Sequence, residues 1–288
     1  MVQLAVINQK GGVGKTTTTA NLGAGLARLG KRVLLLDFDP QCNLTAHLLE
    51  RLPDGKPSTY ELLRTGVSIE SVMLETRIPG LFLVPANGDL ASVEMELATE
   101  IGRETILRDQ LKKAADAGQK FDHVLIDCPP SLGLLAINAL TAADEALVPI
   151  QAEFFALQGM ARFVEVQQLV RQRLNPALKL GGILICMWRG NANLSREVRD
   201  EVKKVFGDVL YDSIIRQNVK LAEAPSAGKT IFEYAPESNG AADFAAVTLE
   251  FLRRHGEATD RSPEAALAVL TAVQGGASEG AAAASGTG

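Results

Sequence analysis

Short apolar runs recur along the chain, and each ends abruptly in an acid, a proline or a glycine turn. Residues 2–7 (VQLAVI), Val33–Leu36 before Asp37, Leu81–Val84 before Pro85, Val124–Ile126 before Asp127, Ala146–Ile150 and Gly182–Trp188 all have this form. Unbroken apolar runs of this length fit parallel strands covered on both faces. The intervening stretches carry helical spacing. Lys15 to Leu29 places Ala20, Leu22, Leu26 and Leu29 on an apolar side, and Gly30 ends it. Residues 90–117 read as one helix ending at Gly118. Gly159 to Leu174 reads as another, ended by Asn175-Pro176, and a third runs from Ser238 through Arg254. Strand and helix alternate, which predicts an α/β fold: a mostly parallel twisted sheet flanked by helices on both faces. Residues 51–80 are irregular. Pro53-Asp54-Gly55-Lys56-Pro57 signals a loop, and Ser58 with Glu61 has capping-box spacing. Near the end, Ser262-Pro263-Glu264 caps a short apolar helix reaching about Val273, and residues 275–288 read as a flexible Gly/Ala/Ser tail.

At 288 residues and 47% hydrophobic content, the chain can bury a sizeable core. No run approaches the ~18 apolar residues of a membrane span. The first strand begins at once, without the charged and apolar regions of a signal peptide, so a cytoplasmic protein is expected. The three cysteines (Cys42, Cys128, Cys186) and three histidines (His47, His123, His255) are scattered, with no spacing that makes a zinc site. Net charge is −5, but it is unevenly spread. Residues 1–159 carry 14 basic and 19 acidic side chains, residues 160–220 carry 11 and 6, and residues 221–288 carry 4 and 9. The basic middle segment is either a local polyanion footprint or an ordinary solvated helical face.

The chemistry begins directly after the first strand. Asn8-Gln9-Lys10-Gly11-Gly12-Val13-Gly14-Lys15-Thr16-Thr17 joins strand to helix. Glycines here let backbone N–H groups face an anion, and the helix dipole adds positive potential. Lys15 is placed for β/γ-phosphates and the Thr16 hydroxyl for Mg²⁺. The loop departs from the plain G-x-x-x-x-G-K-[ST] pattern: Gln9 stands where its first glycine would fall, and a second lysine, Lys10, precedes the paired glycines.

Ligands on open α/β sheets bind beyond the carboxyl ends of the strands. Asp37, Asp39, Pro40 and Gln41 are therefore expected at the same edge as the loop. A carboxylate there can orient an attacking water or hold a metal's water shell. An Asp-Pro turn explains the bend but not its location. Asp127-Cys128-Pro129-Pro130, ending another strand, has the form of a Walker B segment. Asp127 would reach Mg²⁺ through water or accept from Thr16, and Pro129 to Gly133 form a turn suited to sensing a γ-phosphate.

The K-G-G-V-G-K-T-T string resembles the deviant Walker A loop of the ParA/MinD group of P-loop ATPases. D-F-D-P-Q resembles their switch I, and the resemblance makes Asp39 the hydrolysis residue. Residues 151–159, with Phe154 and Phe155, resemble the family's F-A-L-x-G stretch, read here as packing. Ile215 to Ser226 resembles I-P-R-N-V-R-L-S-E-A-P-S, with Arg216 and Gln217 in place of Pro and Arg. The family's R-T-N-L-S arginine falls at Asn191, and Arg189 stands two places earlier. The resemblance covers about residues 2–255.

A Soj-type partition ATPase of this family is the implied class. Residues 1–256 would form the ATPase domain, 257–274 a helical extension and 275–288 the tail. The resemblance implies ATP and Mg²⁺ as cofactors. The nucleotide would be held by Lys10, Gly11, Gly12, Val13, Gly14, Lys15, Thr16, Thr17 and Asp127, with Arg216 and Asn218 beside the base. Thr16, Asp39 and Asp127 would serve the metal, and Lys10, Lys15 and Asp39 hydrolysis. It also implies an ATP-sandwich homodimer in which Lys10 reaches the other subunit's phosphates, nonspecific DNA binding through Arg189, Arg216 and Lys220, and release by a ParB-type partner that stimulates slow hydrolysis. A MinD-like membrane role would need a basic amphipathic C-terminal helix, but residues 262–273 hold no Lys or Arg. An iron-protein-like electron-transfer role would need paired cysteines at the dimer axis, which Cys128 does not supply. A ligase or kinase using the same loop stays open.

Overall fold

The computed structural model describes residues 1–49, 52, 55–153, 156–190, 193–257 and 261–272. Eight strands form one sheet: β1 (Val2–Val6), β2 (Val33–Asp37), β3 (Leu74–Glu75), β4 (Leu81–Val84), β5 (His123–Asp127), β6 (Glu145–Gln151), β7 (Lys179–Trp188) and β8 (Leu210–Arg216). Their order is β3-β4-β2-β5-β1-β6-β7-β8, and every pairing is parallel except the short β3–β4 edge. Parallel neighbours require crossovers, and helices supply them.

Helices α1 (Lys15–Arg28), α2 (Asn43–Leu48), α3 (Thr59–Arg64) and α4 (Ile69–Val72) are followed by α5 (Val93–Glu96) and α6 (Ile106–Asp116). Then come α7 (Leu134–Ala142), α8 (Ala156–Arg173), α9 (Asn193–Phe206), α10 (Val219–Glu223), α11 (Ile231–Tyr234), α12 (Asn239–Arg254) and α13 (Pro263–Thr271). The core is two apolar layers, one on each face of the sheet. Leu34 and Leu36 join one layer and Val33 and Leu35 the other, as strand alternation requires. Continuous apolar strands are thus explained by burial on both sides.

The expected helix over 90–117 is split. A 3₁₀ turn (Gly88–Ala91) and α5 are separated from α6 by turns that pass through Gly102 at φ +79°. The cause lies in another element. The Asn138 side chain on α7 accepts from Leu107 N at 3.2 Å and donates to Arg103 O at 2.7 Å. That amide satisfies backbone groups which a continuous helix would have paired internally. The expected capping box at Ser58 and Glu61 is present, and Ser262 Oγ accepts from Ala265 N at the start of α13. The last helix is docked: Leu270 is buried, and the Arg28 guanidinium donates to Leu270 O at 2.8 Å. The 275–288 tail, Phe154, Phe155 and Asn191 lie outside the described residues.

Candidate nucleotide site

Strand β1 lies where the order reverses, with β5, β2 and β4 on one side and β6, β7 and β8 on the other. A crevice opens at such a point beyond the strand ends. The loop after β1 fills it. Asn8 roots the loop by donating to Pro149 O at 2.7 Å and accepting from Lys10 N at 3.0 Å. Gly12 and Gly14 adopt φ +72° and +97°, a region that penalises any side chain. Gly14 is the N-cap of α1 and offers no capping side chain, so the first N–H groups of the helix stay open to the cleft. The cleft measures about 600 Å³. Gly11, Gly12, Gly14, Lys15, Thr16 and Thr17 line it from one side, Asp39 and Gln41 from beyond β2, and Pro130 from beyond β5. Val13 points into the protein and is buried.

Electrostatics single out this edge. Asp37, Asp39 and Asp127 are all buried there with Lys15. Lys15 Nζ lies 3.3 Å from Lys10 O; burial lowers its pKa, while Asp127 and Asp39 act against that. Burial raises Asp37 to about 6, although Thr45 donates to its carboxylate through N at 2.8 Å and Oγ1 at 2.7 Å. Burial and the neighbouring Asp37 push Asp127 well above the usual carboxylate range. Among the described residues its Oδ2 has no hydrogen-bond partner and Oδ1 receives a long contact of 3.4 Å from the Thr19 hydroxyl, while a side-chain hydrogen bond from Thr16 acts against the rise. Buried carboxylates with an orphaned oxygen fit a cation brought in with the ligand. Among the described residues no three His, Cys, Asp or Glu side chains converge as a complete metal cage. Thr16 lines the cleft, where its hydroxyl and a ligand's phosphates could supply oxygens to an ion that keeps waters.

Lys10 does something different from Lys15. Its ammonium turns away from the loop to Gln151 Oε1 at 2.9 Å and Glu153 Oε2 at 2.5 Å, and its side chain is 53% exposed. Gln151 also donates to Met187 Sδ at 2.7 Å. Met187, strained at φ +54°, separates the phosphate cleft from a second cavity of about 310 Å³. Thr17, Cys186, Arg216, Asn218 and Phe244 are among the walls of that cavity.

The three basic residues singled out in the sequence stand in unlike surroundings. Arg216 is clamped by Asp243, with Nε to Oδ1 at 2.9 Å and Nη2 to Oδ1 at 2.5 Å. Lys220 Nζ meets Glu223 at 2.9 Å. Arg189 Nε instead meets a neutral amide, Gln217 Oε1, at 2.7 Å. Nearby, Arg196 donates to Gly190 O at 3.0 Å, so its charge also faces no carboxylate in that contact.

A profile of the AAA domain family matches residues 1–180. The sporulation initiation inhibitor protein Soj of Bacillus subtilis is 46% identical over 239 residues, which is 83% of this chain and 93% of that protein. The chromosome partitioning protein ParA of Caulobacter vibrioides is 41% identical over 263 residues, 91% of this chain and 97% of that protein. The chain belongs to the ParA/Soj family of chromosome-partitioning ATPases. A crystal structure of a cobyrinic acid a,c-diamide synthase from Mycobacterium smegmatis, with bound ATP analogue and magnesium, is also similar. It is 40% identical with a TM-score of 0.69, over 78% of this chain and 91% of that one.

Several contacts of this ParA/Soj-family site were not singled out from sequence. Gln151 and Glu153 hold Lys10, Thr45 holds Asp37, and Asp243 holds Arg216. His47, buried on α2, bonds Lys229 O at 2.9 Å and so ties the segment after Asp39 to the loop after α10. Each of these pairs joins residues far apart in the chain or carries no distinctive local spacing. The threonine run at 16–19 is the one signal that could have drawn attention to Thr19.

Proposed function

We propose that this protein is a DNA-partition ATPase that hydrolyses ATP with Mg²⁺ as an ATP-bound homodimer. The observation that carries this reading is the division of labour between two lysines. Lys15 is buried among Asp39 and Asp127 in its own cleft, whereas Lys10 is held at the surface and faces away from it. A lysine so placed has no use for its own phosphates, but a second copy brought face to face could receive it.

The phosphates would lie on the open N–H groups of Gly11, Gly12, Val13, Gly14, Lys15, Thr16 and Thr17, with Lys15 Nζ on the β/γ oxygens. The base would enter the second cavity beside Asn218 and Arg216. Mg²⁺ would be held by Thr16, with Asp39 and Asp127 reaching it through water, and would neutralise charge on the phosphates. Asp39 would orient the attacking water. Lys10 of the opposite subunit would stabilise the charge that develops on the transferred phosphoryl group, as an arginine finger does. Without that lysine and the partner, turnover would be slow. The 1–256 unit would carry this chemistry, with α13 packed against α12.

Dimer formation would pair two basic 160–220 segments, so phosphate contacts would double and nonspecific DNA affinity would rise steeply. Of the proposed contacts, Arg189 has the freest charge. A ParB-type protein would stimulate hydrolysis and release the dimer. No helix among the described residues is long and apolar enough to cross a membrane, and the proposed place of action is the nucleoid.

A second reading, ATP-dependent ligation of a small acid, is favoured by the likeness to the Mycobacterium smegmatis diamide synthase. Co-sedimentation with DNA separates the two. With ATP, and not with ADP or without nucleotide, the protein should pellet with DNA, and the bound fraction should fall steeply across a salt series. Binding that ignores nucleotide, or no binding at all, would overturn the partition reading.

A further inference from the structure

We propose that His47 is a positioning residue for hydrolysis: its imidazole fixes the Asp39 segment against the helix that carries Lys15 and Thr16. The inference rests on the ATPase reading above, in which Asp39 orients the attacking water. His47 is 1% exposed, yet it lines the phosphate cleft together with Asp39 and Pro225. Its Nε2 meets Lys229 O at 2.9 Å. A carbonyl only accepts, so Nε2 carries the hydrogen and donates it.

The contact matters because of what stands at each end of it. On one side is α2, which begins just past Asp39. Asp37 grips this segment at two places. Its Oδ1 accepts from Asp39 N at 3.2 Å, and its Oδ2 accepts from Thr45 N at 2.8 Å and Thr45 Oγ1 at 2.7 Å. Asp39 Oδ1 in turn accepts from Gln41 N at 3.0 Å. The run from Asp37 to Thr45 is thus one braced loop, and His47 lies just beyond the brace.

On the other side, Lys229 leads into Thr230 and Ile231. Ile231 N donates to Asn21 Oδ1 at 2.8 Å, and Asn21 is buried on α1. Glu233 caps the same turn, accepting from Thr230 N at 3.0 Å and Thr230 Oγ1 at 2.7 Å. Arg77 grips Glu233 through Nε at 2.8 Å and Nη2 at 3.0 Å, and its Nη1 reaches Leu48 O at 3.3 Å. Lys229 O is therefore a fixed point on the frame of α1, and His47 hooks the braced loop onto it. Leu44 and Leu48 already bury the apolar side of α2, so an apolar residue at 47 would serve packing alone. The imidazole adds direction, because a hydrogen bond is directional and apolar contact is not. Attack on a phosphate held by α1 needs the water on Asp39 in register with Lys15 and Thr16. A misplacement of about 1 Å in such geometry can cost on the order of 10²-fold in rate.

The test uses the full-length protein with Mg²⁺ and ATP. Single-turnover phosphate release, ATP titration and a thermal melt are recorded for H47L, H47N and H47Q, alone and in a D39A background. H47L fills the site without a donor, H47N carries an amide that falls short, and H47Q carries one within reach. H47L and H47N should lose about tenfold or more in kcat, with ATP affinity within about twofold of wild type. H47Q should recover most of that rate. In the D39A background H47L should cost less than about twofold further, since it acts through Asp39. Wild-type turnover in H47L overturns the inference and leaves the ATPase reading standing. So does an equal loss in H47Q and H47L, or a full further loss in the D39A background, because either makes the effect independent of the donor or of Asp39. If neither H47L nor H47N folds, the histidine serves stability alone and the inference is overturned. Wild-type turnover in D39A overturns both this inference and the role given to Asp39.

Discussion

Lys10→Ala separates a structural role for this lysine from a catalytic one, because the two predict very different magnitudes. In the single subunit the Lys10 ammonium contacts Gln151 and Glu153, and the side chains of the ion pair are 53% and 59% exposed. Exposed pairs of this kind contribute ~0.2–1 kcal/mol. The backbone bond from Lys10 N to Asn8 survives the substitution, so the loop keeps its root. Lys10→Ala should therefore lower the thermal midpoint by no more than about 2–4 °C. ATP affinity of the monomer should change little, since Lys15 and the open N–H groups are untouched. Turnover should respond on another scale. Removing one preorganised charge or donor from a transition state costs on the order of 10²–10³ in kcat, or ~2.7–4 kcal/mol. The assays are a thermal melt, nucleotide titration, light scattering with ATP, and single-turnover phosphate release. Wild-type turnover together with an unimpaired ATP-dependent dimer in Lys10→Ala would refute the reasoning outright.

Gly14→Ala should destabilise the fold by ~1–2 kcal/mol, because φ of +97° is forced on a residue with a Cβ. A melt checks this, and nucleotide binding should weaken as the loop relaxes; the nearest atom to the new Cβ is Cys186 Sγ at 3.7 Å, so strain and not collision is the cause. Arg189→Ala should reduce the slope of log affinity for DNA against log salt by about 1, whereas Lys220→Ala, whose charge is already offset by Glu223, should change it less. Burial acts to raise Glu233, but bonds from Arg77 and Thr230 outweigh it and bring it down to about 2. Its folded pKa lies below its unfolded value, so its contribution is complete above about pH 4.5 and is lost as pH falls toward about 2. Arg77→Ala should accordingly be less stable than wild type at neutral pH, with the two acid-unfolding curves converging toward pH 2.

Much of the nucleotide edge was legible in local sequence, because its parts are local. The glycines at 11, 12 and 14 are needed within one turn, and strand-then-acid runs at Asp37 and Asp127 put carboxylates at strand ends wherever the strands lie. The helix expected over 90–117 shows the opposite case. Its residues have acceptable helical spacing, but Asn138 from α7 competes for the backbone at Arg103 and Leu107. No feature of the 90–117 stretch announces a hydrogen bond supplied from some thirty residues downstream. The basic residues near 216–220 were legible as charges but not as partners. The pairing of Arg216 with Asp243 depends on how β8 packs against α12, whereas Lys220 and Glu223 are an i,i+3 pair within α10.

The sequence by itself determined that a phosphate cradle follows the first strand, that two further strands end in aspartate, and that the chain alternates strand and helix. These are facts of neighbouring residues and backbone stereochemistry. Only the tertiary structure decided that Lys10 leaves its own cradle for Gln151 and Glu153, which come to it across about 140 residues. It also decided that the carboxylate edge is buried and that Arg216 is already clamped by Asp243. Those outcomes depend on strand order, and strand order is fixed by packing two apolar layers against one sheet, which no local pattern specifies.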